Sequence, residues 1–110
     1  MQILDGATDA AGTATPFYPG SNLSATIRVQ PSAGQTVTVD VLATLTPEET
    51  GNGSSILESG PASIPAEGGI VQYANRKLYR VTLVYSALSG GTLDAWANVY
   101  DEAHVQRLAW

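Results

Sequence analysis

Four stretches of this chain alternate apolar and other side chains every second residue, and no window sustains the longer apolar period of an amphipathic helix. They are residues 23–30, 35–45, 78–85 and 92–100. A period of two puts successive side chains on opposite faces of a strand, so each stretch has one face suited to a core. Leu23, Ala25, Ile27 and Val29 share a face in the first, and Val37, Val39, Val41, Ala43 and Leu45 in the second. Tyr79, Val81, Leu83 and Tyr85 do so in the third, and Leu93, Ala95, Ala97 and Val99 in the fourth. Residues 31–34 (Pro-Ser-Ala-Gly) and 89–91 (Ser-Gly-Gly) have the composition of tight turns, which predicts two hairpins.

Shorter apolar runs at 55–59 and 70–73 add further strands, separated by Gly60-Pro61, Pro65 and Gly68-Gly69. About seven short strands at this spacing define an all-β chain, an antiparallel β-sandwich or a jelly-roll-like barrel. The 110 residues make one domain, and a chain of this size buries roughly two-thirds of the surface its unfolded form exposes. Residues 5–15 carry no core-sized side chain, so 1–15 reads as a flexible N-terminal arm or an edge segment. The sandwich is expected over 16–101, followed by a C-terminal tail over 102–110.

Charge narrows the classes of partner. The net charge is −5, and the basic residues cluster only at Arg76, Lys77 and Arg80. Nucleic acid and anionic membrane surfaces are therefore not expected partners, since both need clustered cations. No run approaches the length of a membrane span, and the opening residues lack the pattern of a signal peptide. Synthesis and folding in the cytoplasm is the matching expectation.

Reactive chemistry is sparse. There is no cysteine, so neither a disulfide framework nor a thiolate is available. His104 is the single histidine, it stands near the C-terminus beside Asp101 and Glu102, and no serine occupies a Gly-x-Ser-x-Gly elbow. Glu48 and Glu49 are sequence neighbours, which do not face each other across a substrate as hydrolytic carboxylates must. Asp5 and Asp9 lack the ligand spacing of a calcium loop. No enzyme activity, metal or cofactor is expected.

The apolar residues that the alternation leaves over are more informative. Val84, Trp96 and Tyr100 fall on the faces opposite the core rows, and Leu108 and Trp110 stand in the tail. Large apolar groups on a second sheet face, in a chain with only 14% charged residues, point to cover by another protein surface. These five residues are the candidate interface. Trp96 and Tyr100 also admit a second function, stacking against sugar rings in a carbohydrate-binding module.

The order of segments adds a resemblance. A small-residue opening (residues 6–15), alternating strands at 25–30 and 36–45, and a closing pair at 79–83 and 89–93 make up its pattern. This is similar to small β-sandwich structural proteins of tailed bacteriophages, the group that includes capsid decoration (cement) proteins and some tail or neck components. The resemblance implies a virion protein on the capsid surface, with major capsid protein or another virion protein as partner. It also implies no catalytic residues, and the low charge with apolar groups on both sheet faces adds the expectation of a homo-oligomer, trimer or dimer.

Overall fold

The computed structural model describes residues 1–45 and 56–100. Among the described residues eight strands run in chain order: β1 (Gln2–Ala7), β2 (Gly12–Thr13), β3 (Ser24–Pro31), β4 (Val37–Thr44), β5 (Ile56–Ile64), β6 (Gly69–Tyr73), β7 (Arg80–Ser86) and β8 (Leu93–Tyr100). They form two four-stranded antiparallel sheets, ordered β1-β8-β3-β6 and β2-β7-β4-β5. The sheets pack as a sandwich over a single core. One sheet contributes Ala25, Ile27, Val29, Leu93, Ala95 and Ala97, the other Val37, Val39, Val41, Ala43, Val81 and Leu83, all at most 3% exposed. These are the alternating rows read from the sequence. Three members of those rows stand outside the core: Leu23 is half-buried, Leu45 is 53% and Tyr79 40% exposed. Each stands one residue beyond a strand end, where no facing sheet remains to cover it.

The two predicted hairpins are not hairpins. β3 and β4 belong to different sheets, and so do β7 and β8. Residues 32–36 and 87–92 therefore cross the gap of about 10 Å that separates packed sheets. Alternation fixes which face a strand buries but not which neighbour it bonds, and a crossover satisfies the same pattern as a hairpin. The two crossings lie side by side and are laced together. Ser32 N donates to Thr92 O (2.9 Å) and Ser89 N to Thr36 O (3.0 Å). Thr92 N donates to Ser32 Oγ at 3.0 Å, and Thr36 N to Ser89 Oγ at 2.9 Å. Ser89 Oγ in turn donates to Gln35 Oε1 at 2.8 Å. Gly91 (φ +67°) sits against Ser32 Oγ, where a Cβ would collide.

Of the two readings of residues 1–15, the structure takes the edge segment and not the flexible arm, since β1 and β2 are edge strands of the two sheets. β1 pairs with β8, and β2 pairs with β7. Beyond β2 the backbone continues along β7, with Ala14 N donating to Leu83 O (2.8 Å) and Phe17 N to Val81 O (2.9 Å). Thr15 N also donates to Ile3 O at 3.0 Å, joining the two sheet edges on that side. Small residues suit this path because the segment is held by backbone bonds, with Ile3, Ala14 and Phe17 as its buried anchors. The opposite edges are β5 and β6. β5 is an edge strand and includes Gly60-Pro61, which breaks the register between the pairs Val39–Ala62 and Val41–Ser59. An edge tolerates a proline because its missing N–H faces away from the ladder.

Tyr85 joins the second sheet's core at 3% exposure, and a Cβ on Gly12 would meet its hydroxyl at 2.8 Å. Burial raises the phenol above its ordinary 10.0, and the Asp9 carboxylate adds to the rise. The folded chain thus keeps this proton at a pH where the unfolded chain has lost it. Stability from this residue should be complete below the ordinary phenol value and fall as pH climbs through the raised one. Denaturant melts across the alkaline range should show that decline, and Tyr85→Phe should flatten it. Val39→Asp, which buries an unpaired carboxylate at the centre of the core, should abolish the cooperative thermal transition and the strand-type circular dichroism.

Candidate protein interface

The outward face of the β1-β8-β3-β6 sheet carries the candidate surface. The strand register places Trp96 opposite Arg28, and Arg28 opposite Ile70, so the three form one row across β8, β3 and β6. The Arg28 guanidinium lies over the Trp96 ring with Cζ 5.4 Å from its centroid. Such a contact holds the indole in one orientation while leaving its edge exposed. Ile70 is 64% exposed. Asn98, Thr26 and Gln72 make the next row, and Tyr100 follows at the end of β8, opposite Ser24. At the other end, Asp94 Oδ1 accepts from Gly6 N at 2.7 Å.

A shallow cleft of about 240 Å³ adjoins this row, lined by Arg28, Gln30, Glu67, Gly68, Gly69 and Ile70. Its wall is the turn between β5 and β6. Gln30 Nε2 holds that turn by donating to Ala66 O (3.2 Å) as well as to Pro31 O (2.9 Å). The surface thus combines the Trp96 and Tyr100 rings, the exposed Ile70, the Arg28 cation and the carboxylates of Glu67 and Asp94. That mixture is typical of a contact between proteins.

The structure brings together two of the five residues singled out from the sequence. Trp96 and Tyr100, both half-buried, share the face just described. Val84 lies on the outward face of the other sheet, in register with Asp40 and Thr13, and so belongs to a separate surface. Leu108 and Trp110 lie outside the described residues, as do Glu48, Glu49, Asp101, Glu102 and His104.

Sequence reasoning missed Arg28 and Ile70, and it missed a second surface at the end of the sandwich opposite the laced crossings. There Tyr18, Gly20, Leu45, Lys77, Leu78 and Tyr79 line a cleft of about 280 Å³. Tyr18 and Tyr79 meet edge to face, with ring centroids 5.5 Å apart and planes at 75°. Phe17 enters the core while its neighbour Tyr18 turns out to 58% exposure. The proline-flanked Phe17-Tyr18 pair was a usable signal, since neighbouring side chains on an extended segment point oppositely.

Among the described residues no three His, Cys, Asp or Glu side chains converge as a metal site would require. No helix among them is long and apolar enough to cross a membrane.

The class is an all-β sandwich of two four-stranded antiparallel sheets, with the Trp96–Arg28–Ile70 row on one outward face. Comparison with protein families and with curated proteins finds no match. Among solved structures, the crystal structure of the SPBc2 prophage-derived protein YomS has a similar fold. It superposes with a TM-score of 0.62 at 15% identity, over 91% of this chain and 90% of that one. At this identity the likeness is one of fold.

The Arg28–Trp96 contact gives a direct check on this surface. Arg28→Ala should leave the fold intact, cost about 0.5–1 kcal/mol in urea melts, and shift Trp96 emission toward that of a solvated indole. The emission is read in a Trp110→Phe background so that Trp96 reports alone.

Proposed function

We propose that this chain is a structural protein of a bacteriophage virion. Within that class we read it as a capsid decoration (cement) protein that binds the lattice of major capsid protein and stabilises the head. The observation that carries the reading is the Trp96–Arg28–Ile70 row, which sets a half-buried indole, a guanidinium and an exposed isoleucine side by side on one sheet face of a weakly charged chain. Its fold likeness to a prophage-derived protein supports the phage setting.

The action is burial without catalysis. Each copy covers surface on neighbouring capsid subunits, and contacts that form only in the assembled shell oppose its opening. An interface of roughly 1,600 Å² in total is enough for a specific complex, and repetition over a lattice multiplies its effect. A dimer or trimer of this chain would bridge more than one capsid subunit at once. A tail or neck component would use the same chemistry on a different partner. Sugar binding is less favoured, because the Arg28 guanidinium already occupies a face of the Trp96 ring that stacking would need.

The test is co-sedimentation of purified protein with undecorated phage shells, with tail tubes as the parallel arm. The intact chain should bind shells, and a Trp96→Ala/Ile70→Ser variant that melts like the parent should lose most of that binding. Binding to tails alone would move the assignment to the tail. Binding to neither, together with retention on a glycan array, would replace it with the carbohydrate reading.

A further inference from the structure

We infer that the cleft lined by Tyr18, Leu45, Lys77 and Tyr79 is the docking site for this chain's own C-terminal segment, residues 101–110, through Leu108 and Trp110. The cleft exposes three large apolar side chains at one end of an otherwise closed sandwich. β8 delivers the chain to that same end. Tyr100 pairs with Ser24, Ser24 Oγ accepts from Asn75 N at 3.3 Å, and Arg76 N donates to Leu23 O at 2.9 Å. The segment therefore leaves β8 beside the loop that carries Arg76, Lys77 and Tyr79.

Reach is ample. Ten extended residues span up to about 33 Å, whereas the cleft lies only across the gap of about 10 Å between sheets. Leu45 follows the end of β4 and Tyr79 precedes β7, so both stand at this end of the opposite sheet. Charge agrees as well. The segment opens with Asp101-Glu102, while the loop beside the end of β8 holds Arg76 and Lys77. Residues 46–55 also start at this end, beside Leu45, but their sequence, Thr-Pro-Glu-Glu-Thr-Gly-Asn-Gly-Ser-Ser, supplies no large apolar group. Residues 101–110 supply Val105, Leu108 and Trp110. Tethering favours a chain's own segment over a second copy at ordinary protein concentrations.

The experiment uses the full chain carrying Trp96→Phe, in which Trp110 is the sole tryptophan. Its emission should be blue-shifted and its acrylamide quenching several-fold weaker than after denaturation, independent of protein concentration. Leu45→Ser/Tyr79→Ala should return both to solvent-exposed values while circular dichroism stays unchanged. As a second measurement, Ala109→Cys gives a single site for a nitroxide, since the chain has no cysteine. The label should broaden the NMR signals of Tyr18, Lys77 and Tyr79. A solvent-exposed Trp110 in the parent, burial that ignores the cleft substitutions, or burial that appears only as concentration rises would each overturn the proposal. So would broadening confined to the opposite end of the sandwich. No phage shell enters the measurement, so its result and that of the capsid test stand apart.

Discussion

The inward rows of β3 and β8 must meet those of β4 and β7 at a fixed separation, and the rest of the molecule is arranged around that requirement. The rows are built from valine, alanine, isoleucine and leucine at almost complete burial. Such side chains interdigitate without polar groups to satisfy, so their burial supplies most of the stabilisation. Burial alone does not set how far one sheet slides over the other. The two crossings do, because Ser32 and Ser89 fasten them through backbone and hydroxyl bonds. Individually such bonds contribute about 0.5–1.5 kcal/mol, so their role is alignment more than strength.

Because both crossings occupy one end, the opposite end is built differently. It is closed by the loops before β3 and before β7, and its aromatic side chains turn partly outward. The edges follow the same logic. Residues 1–17 run along one side of both sheets, and β5 with β6 occupies the other. The broad faces are left as surfaces, and the one bearing Trp96 sets a half-buried indole and the exposed Ile70 on either side of Arg28.

Alternation in the sequence was enough to identify the buried faces of β3, β4, β7 and β8. It was silent on partners, because the same run of Val37, Val39 and Val41 fits a hairpin or a crossing equally well. For a related reason the first fifteen residues were legible only as either an arm or an edge segment: backbone hydrogen bonds hold most of that path and leave no side-chain signature. At the candidate interface, Trp96 and Tyr100 were found because they break the pattern of their own strand. Arg28 and Ile70 were not, since they matter only as cross-strand neighbours, and register is invisible until strands are paired. Val84 broke its strand's pattern in the same way, yet it faces the other side of the sandwich. Sequence position carried no information on which sheet a strand would join.

The position of β8 sets the order in which the protein can be built. It is the last of the eight strands among the described residues, yet it lies between β1 and β3, and it bonds Gln2 across from Trp96. Until it leaves the ribosome, the first strand has no neighbour and β3 keeps one open side. The second sheet, β2-β7-β4-β5, has all its members earlier and can form first. Completion of the first sheet therefore waits until β8 has been made. A chain interrupted before β8 would present the open edges of β1 and β3, which are templates for pairing with other chains.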